Sequence, residues 1–103
     1  MPHRTARPSA RLLPWAGPDD QRCYLLTDSD GGPVSRHADQ VEAIQLGMGL
    51  GLLEHARALI ADPAVDAAQL RFLSAQLSAA LRDTVRIAES RGGRLEESAQ
   101  DGS

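Results

Sequence analysis

The stretch QLGMGLGLLEH, Gln45 to His55, places glycine at every second position: Gly47, Gly49 and Gly51. Two readings of it lead to two different proteins. If the preceding VEAIQL is a strand, GMGLG is a turn whose free N–H groups, at the start of a helix over LLEHARALI, face a phosphate. If the backbone winds helically throughout, the glycines thin the helix so that another element can lie against it. The first reading fits poorly. A dinucleotide fingerprint needs a third glycine where Leu52 stands, and a Walker loop needs a lysine, which the chain lacks. Too little chain follows to complete a doubly wound sheet. The helical reading costs about 2–3 kcal/mol of propensity relative to alanine, so something must offset it. Ala43, Gly47 and Gly51, spaced four apart, form a smooth stripe expected to seat a neighbouring backbone. Small residues at this spacing pair helices in membranes, and the steric logic holds in water. Gly49 lies off that stripe.

Outward from the glycines, helical spacing covers Arg36 to about Ala61. Ser35 is its expected N-cap. Val41, Ile44, Met48, Leu52, His55, Ala56 and Leu59 recur at intervals of three and four and define one face. Pro63 ends this helix. Asp66 followed by Gln69 has the spacing of a capping box and opens a second helix, Ala67 to Arg91. Leu70, Leu73, Leu77, Leu81, Thr84 and Ala88 form its stripe, and Gly92–Gly93 supplies a left-handed stop. Near-equal lengths and a short connector predict an antiparallel helical hairpin.

Before the helices, RLLPWA and CYLLT read as strands joined by the turn residues Gly17, Pro18, Asp19 and Asp20. Pro14 makes the first an edge strand. A second turn, Asp28 to Gly32, leads to a brief strand at Pro33–Val34. The expected fold is therefore α+β: a short β-hairpin or meander over 11–34, then helices 36–61 and 67–91, in one domain, 11–92. Residues 1–10 read as a flexible basic arm and 93–103 as a disordered polar tail.

A second apolar row, Leu46, Leu50, Leu53 and Ile60, lies roughly opposite the Met48–Leu52 face. A two-helix hairpin cannot cover both. Either the β-hairpin covers one, or a second copy of the chain completes a four-helix bundle, which also strengthens a marginal core. The homodimer is the expected solution.

Composition narrows the function. The chain has 103 residues, 42% hydrophobic but only 3% aromatic, so its core is aliphatic. Every basic residue is arginine, and lysine and asparagine are absent, which reflects a GC-rich coding sequence more than chemistry. The net charge of −3 argues against bulk nucleic-acid binding. A lone cysteine, Cys23, with no apolar run of membrane or secretory length, predicts a cytoplasmic location.

No catalytic constellation emerges. DSDGG with Asp39 beyond it lacks the ligand spacing of a calcium loop. His37 and His55 have no partner on their helix face, and Cys23 in a strand reads as a small buried hydrophobe. No cofactor or metal is expected. Phe72 points away from the stripe of its helix, among small residues. It is either a contact anchor or a site where the β-hairpin folds over, through Trp15.

Trp15, Gly17, Pro18 and Asp19, then CYLLTDSDGG, Ser35–Arg36, Ala38–Asp39 and QLGMG, resemble small uncharacterised proteins of GC-rich bacteria over residues 11–91. The resemblance implies a recurrent compact unit with variable ends and transfers no activity.

The expectation is a non-enzymatic regulatory or adaptor protein. It dimerises through its first helix and engages another protein, with Ala43, Gly47, Gly51, Leu46, Leu50, Leu53, Phe72 and Trp15 as interaction residues. An accessory nucleic-acid binder contacting phosphate through Arg4, Arg7, Arg11, Arg71, Arg82 and Arg86 is the alternative. A nucleotide ligand at the glycines is a third, lesser reading.

Overall fold

A computed structural model describes residues 9–27 and 32–101. Strand β1, Ser9–Ala16, pairs antiparallel with β2, Arg22–Thr27. Helix α1, Pro33–Ala61, and helix α2, Ala67–Asp101, follow. The α+β architecture, β-hairpin first and helical hairpin second, is the one the sequence predicts.

The β-turn region is a single 3-10 turn, Pro18–Asp20, in which Asp19 and Asp20 adopt left-handed φ angles of 56° and 62°. Short polar side chains tolerate this conformation better than bulky ones. A Cβ on Gly17 would stand 3.2 Å from Cys23 Sγ, so a larger residue there requires that side chain to give by a few tenths of an ångström. Pro14 falls in the register irregularity between Leu12 and Ala16, where a missing N–H costs no ladder bond. A two-stranded sheet is marginal alone. Here β1 is buried from Arg11 to Pro14 against the helices, while β2 alternates Cys23 and Leu25 inward with Tyr24 and Leu26 outward.

Several expected boundaries are corrected. β1 begins at Ser9, so the end of the expected arm is strand; residues 1–8 lie outside the described region, as do 28–31 of the second turn. No strand forms at Pro33–Val34. Helix α1 starts there, with Gly32 as N-cap and Pro33 at the first helical position, where its fixed φ is pre-set and its missing N–H is no loss. Ser35 is not the cap; it is buried inside the first turn. Helix α2 does not stop at Gly92–Gly93 but runs to Asp101, so the expected tail is helical through that residue. Neither glycine takes the positive φ that a helix stop requires. Arg91 and Arg94, on either side of the pair, both reach Glu42 on α1, at 3.5 and 3.9 Å, and hold α2 along its neighbour.

The connector matches its sequence. Asp62 caps the end of α1 and accepts a bond from the Ala64 N–H at 2.9 Å. At the start of α2 the capping box is reciprocal: the Gln69 N–H donates to Asp66 Oδ1 (2.7 Å), and the Asp66 N–H donates to Gln69 Oε1 (2.9 Å).

Candidate protein-interaction surface

The side of α1 that meets the rest of the molecule is not either predicted stripe. Ser35, Ala38, Glu42 and Ala56 are buried, and Gln45, Gly49 and Leu52 between them are half-buried, all at three-and-four spacing. This inward seam is small and polar. The large residues lie on its two flanks. Of the expected core face, Ala56 is buried and Val41, Leu52 and Leu59 half-buried, but Ile44, Met48 and His55 are exposed. On α2 the seam runs Leu73, Leu77, Ala80, Ile87 and Ser90, leaving Leu70, Leu81, Thr84 and Ala88 of the predicted stripe exposed. A row stepping mostly by four drifts off the contact line, because 3.6 residues complete a turn.

Where the strands meet the helices, the interior is held by polar side chains. Arg11, 3% exposed, donates to the Ser35 carbonyl (2.9 Å) and hydroxyl, to Asp39 Oδ1 (2.6 Å) and to Glu42 Oε2 (3.3 Å). The outer carbonyls of β1 take side-chain donors as well: Ser90 Oγ to Leu12 at 2.8 Å, Gln45 Nε2 to Pro14 at 3.0 Å, and Arg86 Nη1 to Pro14 at 3.5 Å. These two carbonyls on the strand edge that faces the hairpin are therefore satisfied without a third strand. On the outside, Arg22 forks onto Glu89 at 2.6 and 3.1 Å, and this carboxylate holds the guanidinium above its ordinary pKa.

Beyond the sheet, the hairpin is open on both sides. From Ala43 to Leu53, α1 carries no charged residue on any face. A helix apolar all round is normally enclosed, yet α2 covers only one side. Two grooves result. One, about 600 Å³, is lined by Leu46, Leu50, Leu53, Leu77 and Leu81. The other, about 530 Å³, is lined by Met48, Leu52, His55, Phe72, Gln76 and Ala79. Gly49 lines both, because it sits on the seam between them. Leu50 is 67% exposed, Met48 70%, Phe72 67% and Leu81 64%.

The glycine segment is helix from end to end, so its N–H groups are engaged in the helix and no phosphate loop exists there. Ala43, Gly47 and Gly51 are exposed. A Cβ added at Gly47, Gly49 or Gly51 would meet nothing within 4 Å, so packing within the chain demands none of these glycines. Phe72 is not covered by the β-hairpin. Trp15, which was the candidate cover, instead meets His37 near the start of α1, ring centroids 5.7 Å apart and tilted by 43°.

Of the six arginines of the phosphate alternative, the four described, Arg11, Arg71, Arg82 and Arg86, do not form one patch. Arg11 is buried and ion-paired, so it is unavailable to phosphate. Arg86, 13% exposed, leans toward Asp20, Asp83 and Pro14. Arg71 and Arg82 are exposed, and Arg82 shares a shallow groove with Asp20 and Glu89, which carry the opposite charge. Arg4 and Arg7 lie outside the described residues.

Sequence reasoning missed Arg11, Ser35, Glu42, Gln45 and Ser90 as interior residues. Their only signal was spacing: Ser35, Ala38, Glu42, Gln45, Gly49, Leu52 and Ala56 follow a regular three-and-four row, hidden because polar residues occupy it. No protein-family model, curated protein or solved structure matches the chain. Among the described residues, no helix is long and apolar enough to cross a membrane.

Proposed function

We propose that this is a non-catalytic regulatory or adaptor protein of the cytoplasm, which homodimerises through α1 and engages a different protein through its remaining apolar surface, Phe72 included. The observation that carries this reading is the uncharged belt Ala43–Leu53, left open on two sides of the hairpin among the described residues. Monomeric proteins rarely leave contiguous apolar surface of this kind exposed. Buried small and polar residues along the seam, with leucines on the flanks, are the reverse of what a self-sufficient two-helix unit needs.

Size-exclusion chromatography with light scattering tests the reading. At micromolar concentration the mass should be twice the chain's 11.0 kDa. A mass of one chain across that range overturns it.

A further inference from the structure

We infer that only one of the two grooves is the self-association surface: the leucine groove takes α1 of a second copy, running antiparallel, and the Met48–Phe72 groove lies outside that interface. This rests on the dimer reading above and assigns its surface.

Neither groove is lined by a strand residue, and β1 touches both flanks of α1, Gln45 through the Pro14 carbonyl and Asp39 through Arg11, so chemistry rather than access separates the two.

The Met48–Phe72 groove is rimmed by Gln45, His55, Gln76 and Asp83, polar groups that a permanent interface would have to satisfy. Thr84 is the one polar residue lining the leucine groove, and its hydroxyl already donates to the Ala80 carbonyl. Permanent homodimer interfaces are the more apolar kind.

The flank of α1 that borders the leucine groove reads Asp39, Ala43, Leu46, Leu50, Leu53, Arg57, a row symmetric about its midpoint. A two-fold axis at that midpoint makes the helices antiparallel. It sets Leu46 against Leu50 of the second copy, Ala43 against Leu53, and Asp39 against Arg57. A parallel pairing would instead oppose Asp39 to Asp39. Asp39 Oδ1 already accepts from Arg11 at 2.6 Å, but the side chain is 61% exposed, which leaves the carboxylate open to a second cation; Arg57 forms no ion pair among the described residues. A hairpin face about 40 Å long and about 20 Å wide supplies roughly the 800 Å² per partner that a standard stable interface buries.

The test uses register. In a Cys23→Ser background, Leu46→Cys and Leu50→Cys proteins are mixed and mildly oxidised, and covalent heterodimer should accumulate. Met48→Cys mixed with Phe72→Cys should give none. In parallel, Leu50→Glu should raise the dimer dissociation constant at least ~100-fold, since each substitution acts twice across a symmetric contact, while Met48→Glu should leave it nearly unchanged. Both positions are exposed in the single chain, and unchanged far-ultraviolet circular dichroism verifies folding. A dimer cross-linked through Met48, or one indifferent to Leu50→Glu, overturns the groove assignment and leaves the dimer reading standing. A parent chain that is monomeric removes both.

Discussion

The two halves of the helical hairpin distribute polarity in opposite ways. At the sheet-bearing end, the interior contains Arg11, Ser35, Glu42 and Ser90, and each of these reaches across to another element. At the far end, Met48, Leu50, Leu53, Phe72 and Leu81 face outward around the buried Leu73. The first half is specified by geometry: a buried guanidinium is tolerated only where its acceptors stand in place. The second is specified by area, and area alone does not choose a partner within the chain. The comparison teaches that the inward face of a helix is set by what it touches, not by where its largest apolar residues lie.

The strongest challenge to this contrast is Glu42→Ala. It takes an acceptor from Arg11, which stays buried, and from Arg91 and Arg94. A loss of about 3–5 kcal/mol is expected by urea denaturation; a loss below about 1 kcal/mol would mean that the sheet-bearing end is not held as described. Next is the pair Leu73→Ala and Leu81→Ala. Leu73, 3% exposed, should cost about 2–4 kcal/mol. Leu81 should cost under about 1 kcal/mol at concentrations low enough to dissociate any dimer, and more as concentration rises. Equal losses at both sites would erase the distinction between core and flank.

Smaller effects sharpen the picture. Gly47→Ala gains helix propensity into open space, so it should stabilise the single chain by about 1 kcal/mol, read as a raised urea midpoint. If it instead weakens association, the second copy approaches that stripe more closely than the leucine flank alone requires. Smallest is Arg22→Ala. Its pairing with Glu89 is exposed on both sides, so no resolvable change in the thermal midpoint is expected, in low or high salt.

Much of this fold is legible in the sequence. Pro63 and the Asp66–Gln69 pair fix the connector, because a proline and a capping box act within a few residues and need no tertiary context. The β-hairpin is readable for the same reason, from Gly17–Asp20 between two apolar runs. What misleads is any feature decided at a distance. Gly92–Gly93 is a local stop signal overridden by Glu42, half the chain away. Ser35 looks like a cap but is claimed by Arg11, and Gly32 with Pro33 serves instead. The seam itself is unreadable by hydrophobicity, since Glu42 and Gln45 face inward where Ile44 and Met48 were expected. The open flanks, by contrast, were visible as a row that one hairpin could not cover, though not which flank was which.

The bond from Ser90 to Leu12 spans 78 positions, and that from Arg86 to Pro14 spans 72. The strands leave the ribosome early, yet what holds them against the helices includes side chains near the end of α2. Connections of such separation are slow to close. The bonds from Arg11 to Ser35 and Glu42 span only 24 and 31 positions, so β1 can meet α1 before α2 supplies its own donors.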